Sequence, residues 1–160
     1  MDNCDRREFI AKGARATAVA SICLCGLNGC ATYSGVGRTP DVDAASYTLR
    51  DDILSIDLSK EPNLSKIGGA VKIVRADLPE GLIVAHVEED RFEVVSLLCT
   101  HRGVEVEYDH GRTNFRCASI GSSVFTIDGQ NVSGPASTPL REYEATLANR
   151  VLSIRLRESV

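Results

Sequence analysis

From Ser46 to the C-terminus the apolar residues recur at every second position, not every third or fourth. Successive side chains of a strand point to opposite faces, so this period marks half-buried β-strands and argues against amphipathic helices. Residues 47–49 and 53–58 alternate in this way, and residues 69–74 form a third strand. Residues 82–87 and 92–98 frame a hairpin with Glu88-Glu89-Asp90 at its tip. Residues 104–108 alternate Val with Glu, which places the Glu side in solvent. Phe115-Arg116 leads into Cys117, residues 124–127 are turned by Asp128-Gly129, and residues 140–147 and 151–156 pair across Ala148-Asn149-Arg150. Glu61-Pro62-Asn63 reads as a turn and residues 77–81 as a loop. Short strands at regular spacing, with no convincing helix among them, predict an all-β sandwich or barrel of antiparallel sheets. The chain has no Trp and only four Phe, so its core must be built from Val, Ile and Leu.

Two loops between these strands carry transition-metal chemistry. One is Cys99-Thr100-His101-Arg102-Gly103, the other Cys117-Ala118-Ser119-Ile120-Gly121-Ser122. Thiolates and imidazole together suit a transition metal, although Cys-x-His alone arises often by chance. The frame around it is more specific: Phe125, then Gly134-Pro135-Ala136. Over residues 46–156 this order resembles the Rieske iron–sulfur family. That family places Cys-x-His in one loop and Cys-x-x-His in a second, with the two Cys on one iron and the two His on the other. The resemblance implies stacked antiparallel sheets with a small cluster-binding loop subdomain. It assigns a [2Fe–2S] cluster to Cys99, His101 and Cys117, and an electron-transfer role alongside a redox partner protein or within a larger oxidoreductase.

The second loop departs from the pattern. The fourth ligand belongs three residues after Cys117, where Ile120 stands, and Ile has no lone pair to give. Ala118 replaces a frequent Pro, and one extra residue lies between Gly121 and Phe125. Ser119, Ser122, Ser123 or water is a poorer donor for the open position. Val104 and Ser119 stand where one branch of the family has a further Cys pair, so that disulfide is absent. If the site is metal-free, the resemblance holds Cys99 and Cys117 close enough to form a disulfide of their own. His110, in a polar loop, reads as solvated, and His86, inside an apolar strand, as a packed residue; neither is expected to be a ligand.

Residues 1–30 read as an export signal. Asp5-Arg6-Arg7-Glu8-Phe9-Ile10-Ala11-Lys12 resembles a twin-arginine motif, and the apolar run after it, residues 16–27, has the length of a signal h-region. A spanning helix needs about 20 apolar residues. Leu27-Asn28-Gly29-Cys30 resembles a bacterial lipobox, which makes Cys30 the lipidated N-terminus of a mature protein on the periplasmic side of a membrane; cleavage near Ala31 is the alternative. Residues 31–45 are small and polar and read as a flexible tether, or else as an ordered arm against the domain formed by residues 46–160.

Of the six Cys, the leader takes Cys4, Cys23 and Cys25, lipid takes Cys30, and Cys99 and Cys117 remain. The formal net charge of −4 and the lack of a basic cluster beyond the N-terminus exclude a nucleic-acid partner. Two function classes follow: an exported Rieske-type electron carrier or small oxidoreductase subunit, and a degenerate Rieske-fold module that has lost the cluster and serves binding or structure. A stand-alone enzyme finds no support in any nucleophile–base pair.

Overall fold

The structure is a computed structural model, and it describes residues 38–157. Eleven strands form three antiparallel sheets. β1 (Tyr47–Arg50), β2 (Ile53–Asp57), β11 (Val151–Arg155) and β10 (Ala145–Ala148) make the first, in that spatial order. β3 (Ala70–Arg75), β4 (Leu78–Glu88) and β5 (Arg91–Ser96) make the second. β6 (Val106–Asp109), β7 (Asn114–Cys117), β8 (Val124–Phe125) and β9 (Asn131–Ser133) make the third. The all-β expectation therefore holds.

Two hairpins of the first sheet close through two-residue turns, Asp51-Asp52 and Asn149-Arg150. All four residues have positive φ, between 48° and 64°. Such turns match the right-handed twist of the strands they join, and Asn and Asp tolerate this backbone better than most residues.

The second sheet separates two cores. Val71, Ile73, Leu82, Val84 and Val94 face the first sheet and pack on Leu54, Ile56, Leu152 and Ile154. Ile83, Ala85, Val95 and Leu97 face the third sheet and pack on Phe115, Phe125, Cys99 and Cys117. The middle sheet is buried on both sides, which is why residues 82–85 read as an uninterrupted apolar run.

Several expectations need correction. Residues 77–81 are not a loop: β4 begins at Leu78, and the β3–β4 register shifts between Ile73 and Arg75. Gly81, at φ +57, carries the strand through that irregularity. Of residues 140–147 only the last three belong to a ladder strand, β10 (Ala145–Ala148), with Glu142 bridging Val95 ahead of it. β9 is polar and mostly exposed, so it gave no apolar signal. The Val/Glu alternation of residues 104–108 puts Glu107 in solvent, yet it is 6% exposed.

The described part of the presumed tether is an ordered arm. Asp41 bridges Lys72 in parallel, the Lys72 amide donates to the Pro40 carbonyl (2.8 Å), and the Val42 amide donates to the Lys72 carbonyl (2.8 Å). The arm thereby covers the open edge of β3, where unpaired backbone groups would otherwise stand. The leader and Cys30 lie outside the described residues.

Candidate functional site

Three loops meet at one end of the third sheet. The first runs from Cys99 to Val104. Its ends are pinned by the Cys99 amide donating to the Val104 carbonyl (2.8 Å) and by the Leu98–Glu105 bridge; the Gly103 amide closes the turn onto the Cys99 carbonyl (2.8 Å). Gly103 sits at φ +66, a conformation that glycine adopts without strain. The second loop runs from Cys117 to Ser123. The Cys117 amide donates to the Ser123 carbonyl (2.9 Å), and the Ser122 hydroxyl donates back to the Cys117 carbonyl (2.9 Å). The third loop contains Gly134-Pro135-Ala136.

These loops are tied to one another. The Ala118 amide donates to the Glu105 carbonyl (3.1 Å), joining the second loop to the first. The Ala136 amide donates to the Ser123 hydroxyl (3.0 Å), joining the third to the second. The Thr100 hydroxyl donates to the Thr138 carbonyl (2.8 Å), joining the first to the third. Gly134, at φ +91, lies so close that a Cβ there would stand 2.5 Å from the Ser123 Cα.

The structure brings Cys99 and Cys117 together. They are 1% and 0% exposed and both thiols are free. Burial pushes the Cys99 thiol up, the adjoining Cys117 thiol pushes the same way, and the His101 amide and Ser123 hydroxyl pull against them. The Cys117 sulfur also lies 3.1 Å from the Ser119 hydroxyl. His101 is on the same tip, two residues beyond Cys99, with its side chain in solvent.

Ile120 is 78% exposed, a large aliphatic side chain offered to water at the end of the second loop. Among the described residues no group of three or more His, Cys, Asp or Glu is placed to hold a metal ion. Cys99, Cys117 and His101, which match the family's ligand positions, are thus not gathered into such a group here. Ile120 has no lone pair to add, so the residues present do not complete a four-donor set.

The other two His are occupied elsewhere. His86 donates through Nδ1 to the Leu64 carbonyl (2.9 Å) and stacks on Phe92 with ring centroids 4.2 Å apart. It lines a cavity of ≈ 680 Å³ with Leu58, Ile67, Phe92 and Leu147, none of which belongs to the Cys loops. His110 is exposed, with Nδ1 3.4 Å from the Tyr108 hydroxyl.

Sequence reasoning missed the ionic group behind the loops. Lys72, 3% exposed, donates to Glu107 (2.6 Å) and Glu105 (2.8 Å). Glu107 also accepts the Thr39 amide (2.6 Å). This group locks the arm, the middle sheet and the third sheet together. Its only sequence signal is a Lys inside an otherwise apolar strand.

The Rieske [2Fe-2S] domain model matches residues 55–144. The cytochrome b6-f complex iron-sulfur subunit of Gloeobacter violaceus is 38% identical over 55 residues, 34% of this chain and 29% of that protein. The subunit of the same name from Chlorobaculum tepidum is 30% identical over 79 residues, 49% of this chain and 42% of that protein. The chain thus spans less than half the length of these curated relatives. Among solved structures, a complex of reduced oxygenase and oxidized ferredoxin in carbazole 1,9a-dioxygenase matches with a TM-score of 0.50 at 19% identity, covering 59% of this chain and 87% of that chain.

Proposed function

Since the chain belongs to the Rieske [2Fe-2S] domain family, we propose that it works as an exported Rieske-type electron-transfer protein, the small subunit of a larger membrane-associated oxidoreductase. The observation that carries this reading is the meeting of Cys99 and Cys117 beneath one exposed tip that also bears His101. Two relatives named as iron–sulfur subunits of cytochrome b6-f complexes support a place within a larger redox assembly. The twin-arginine-like residues 5–12 and the lipobox-like Leu27 to Cys30 support export, with lipid on Cys30 as the membrane attachment. The twin-arginine route carries folded proteins, which suits a domain that acquires a cofactor before export.

The family's redox group is a [2Fe–2S] cluster, whose imidazole ligation raises its potential above that of all-Cys plant-type ferredoxins. The residues of this chain that match its ligand positions are Cys99, Cys117 and His101.

Ile120 favours a second reading, a degenerate Rieske-fold module without the cluster that serves binding or structure. Iron and acid-labile sulfide analysis, with low-temperature EPR of the dithionite-reduced protein, separates the two. Protein folded in an iron-replete cytoplasm is expected to hold iron and sulfide in equal amounts and to give a reduced-cluster signal. Absence of both from folded protein would establish the module instead.

A further inference from the structure

We propose that Cys99 and Cys117 form a disulfide in the metal-free protein, giving the tip a second, covalent redox state. Both Cys are buried in one apolar cluster, on two loops already knit together by the Ala118–Glu105 hydrogen bond. Cys117 pairs in register with Val106, and the Val106 amide donates to the Leu97 carbonyl, so the ladder sets Cys117 beside the segment that leads into Cys99. They are the only Cys among the described residues. The missing donor at Ile120 weakens the competitor for these sulfurs, because a thiolate pair that ligates iron is not free to oxidise. The inference concerns the stripped site and holds under either functional reading.

The oxidant is a disulfide, from a thiol–disulfide exchange protein or a small molecule such as glutathione disulfide. One Cys thiolate attacks it, releases one thiol and leaves a mixed disulfide. The second Cys thiolate attacks that intermediate, closes the Cys99–Cys117 bond and releases the second thiol. The cysteines lose two protons and two electrons, and the exchanged disulfide takes up both. Since both sulfurs are buried, exchange requires the tip to open. After closure the same burial shields the bond from reductant.

The test uses the full chain, stripped of iron with chelator and reductant and then equilibrated with glutathione disulfide. Thiols are alkylated without reductant, and peptides are mapped by mass spectrometry. The expected product is a Cys99–Cys117 linked peptide lighter by two hydrogens, reduced by dithiothreitol at least tenfold more slowly in native protein than in urea. Alkylation of both Cys, persistent glutathione adducts on them, or pairing of either with Cys4, Cys23, Cys25 or Cys30 would overturn the proposal. Iron and sulfide are measured on the unstripped sample, so loss of the carrier reading and loss of this one are scored separately.

Discussion

Lys72 is the residue on which the arrangement behind the loops depends. It is a buried cation with two carboxylates, and breaking such a group by removing one member costs about 3–5 kcal/mol, because the remaining charge is left without its partner. Lys72→Met is therefore expected to lower the unfolding free energy by about 3 kcal/mol in urea titrations. Glu105→Gln should cost under about 1 kcal/mol, since the Glu105 side chain is 47% exposed and its pair is screened. Burial works against the Lys72 charge, but the hydrogen bonds to Glu105 and Glu107 outweigh it and hold the ammonium above its ordinary range. The sign follows from linkage: a raised Lys pKa stabilises the fold fully below the unfolded value of about 10.4, and that contribution is lost as pH rises through the folded value. Urea midpoints of wild type should fall steeply above about pH 10.5, and those of Lys72→Met should fall less; parallel curves would remove Lys72 from the explanation.

At the scale of elements, the loops are held by close backbone approach as much as by hydrogen bonds. Gly134 and Gly121 both occupy the left-handed region, so an Ala at either is strained by about 1 kcal/mol. Only Gly134 faces an obstacle, the Ser123 backbone at 2.5 Å. Gly134→Ala should thus lower the melting temperature several degrees more than Gly121→Ala, and equal shifts would show that the third loop does not press on the second. Ser123→Ala removes the acceptor of the buried Ala136 amide and should cost about 1–3 kcal/mol in the same assay.

Much of the strand layout was legible at this scale. β1, β2 and β11 carry the alternation of half-buried strands, and the turns beside them use Asp and Asn where positive φ is required. The loops were legible through Cys99, His101 and Cys117, because thiols and an imidazole are rare residues with a distinct chemistry. Residues that act through long-range partners left no such mark. Pro79 and Gly81 imitate a turn inside β4, β9 has no apolar face, and Glu107 is indistinguishable in sequence from the solvated Glu105 two positions before it. Burial of a charge is decided by the facing Lys72 on another sheet, 35 residues away.

For the molecule as a whole, the arm on β3 joins the domain to whatever lies before Arg38. If Cys30 carries lipid, Cys30→Ala should move the domain from the membrane pellet to the soluble periplasmic fraction with its melting temperature unchanged. A mutant still in the pellet with its leader attached would make the leader itself the anchor.

Of the departures in the second loop, Ile120 is the one that removes a ligand from the Rieske pattern. Ile120 is exposed, and a surface substitution there should change stability by less than about 0.5 kcal/mol, so Ile120→His tests the site without disturbing the fold. The decisive measurement is iron and acid-labile sulfide per chain, with wild type and Ile120→His folded side by side in an iron-replete cytoplasm. An imidazole at this position should raise cluster occupancy and slow cluster loss to chelator. Equal iron and sulfide in the two proteins would contradict the claim, and would mean that the extra residue before Phe125 has moved the second loop out of ligating register.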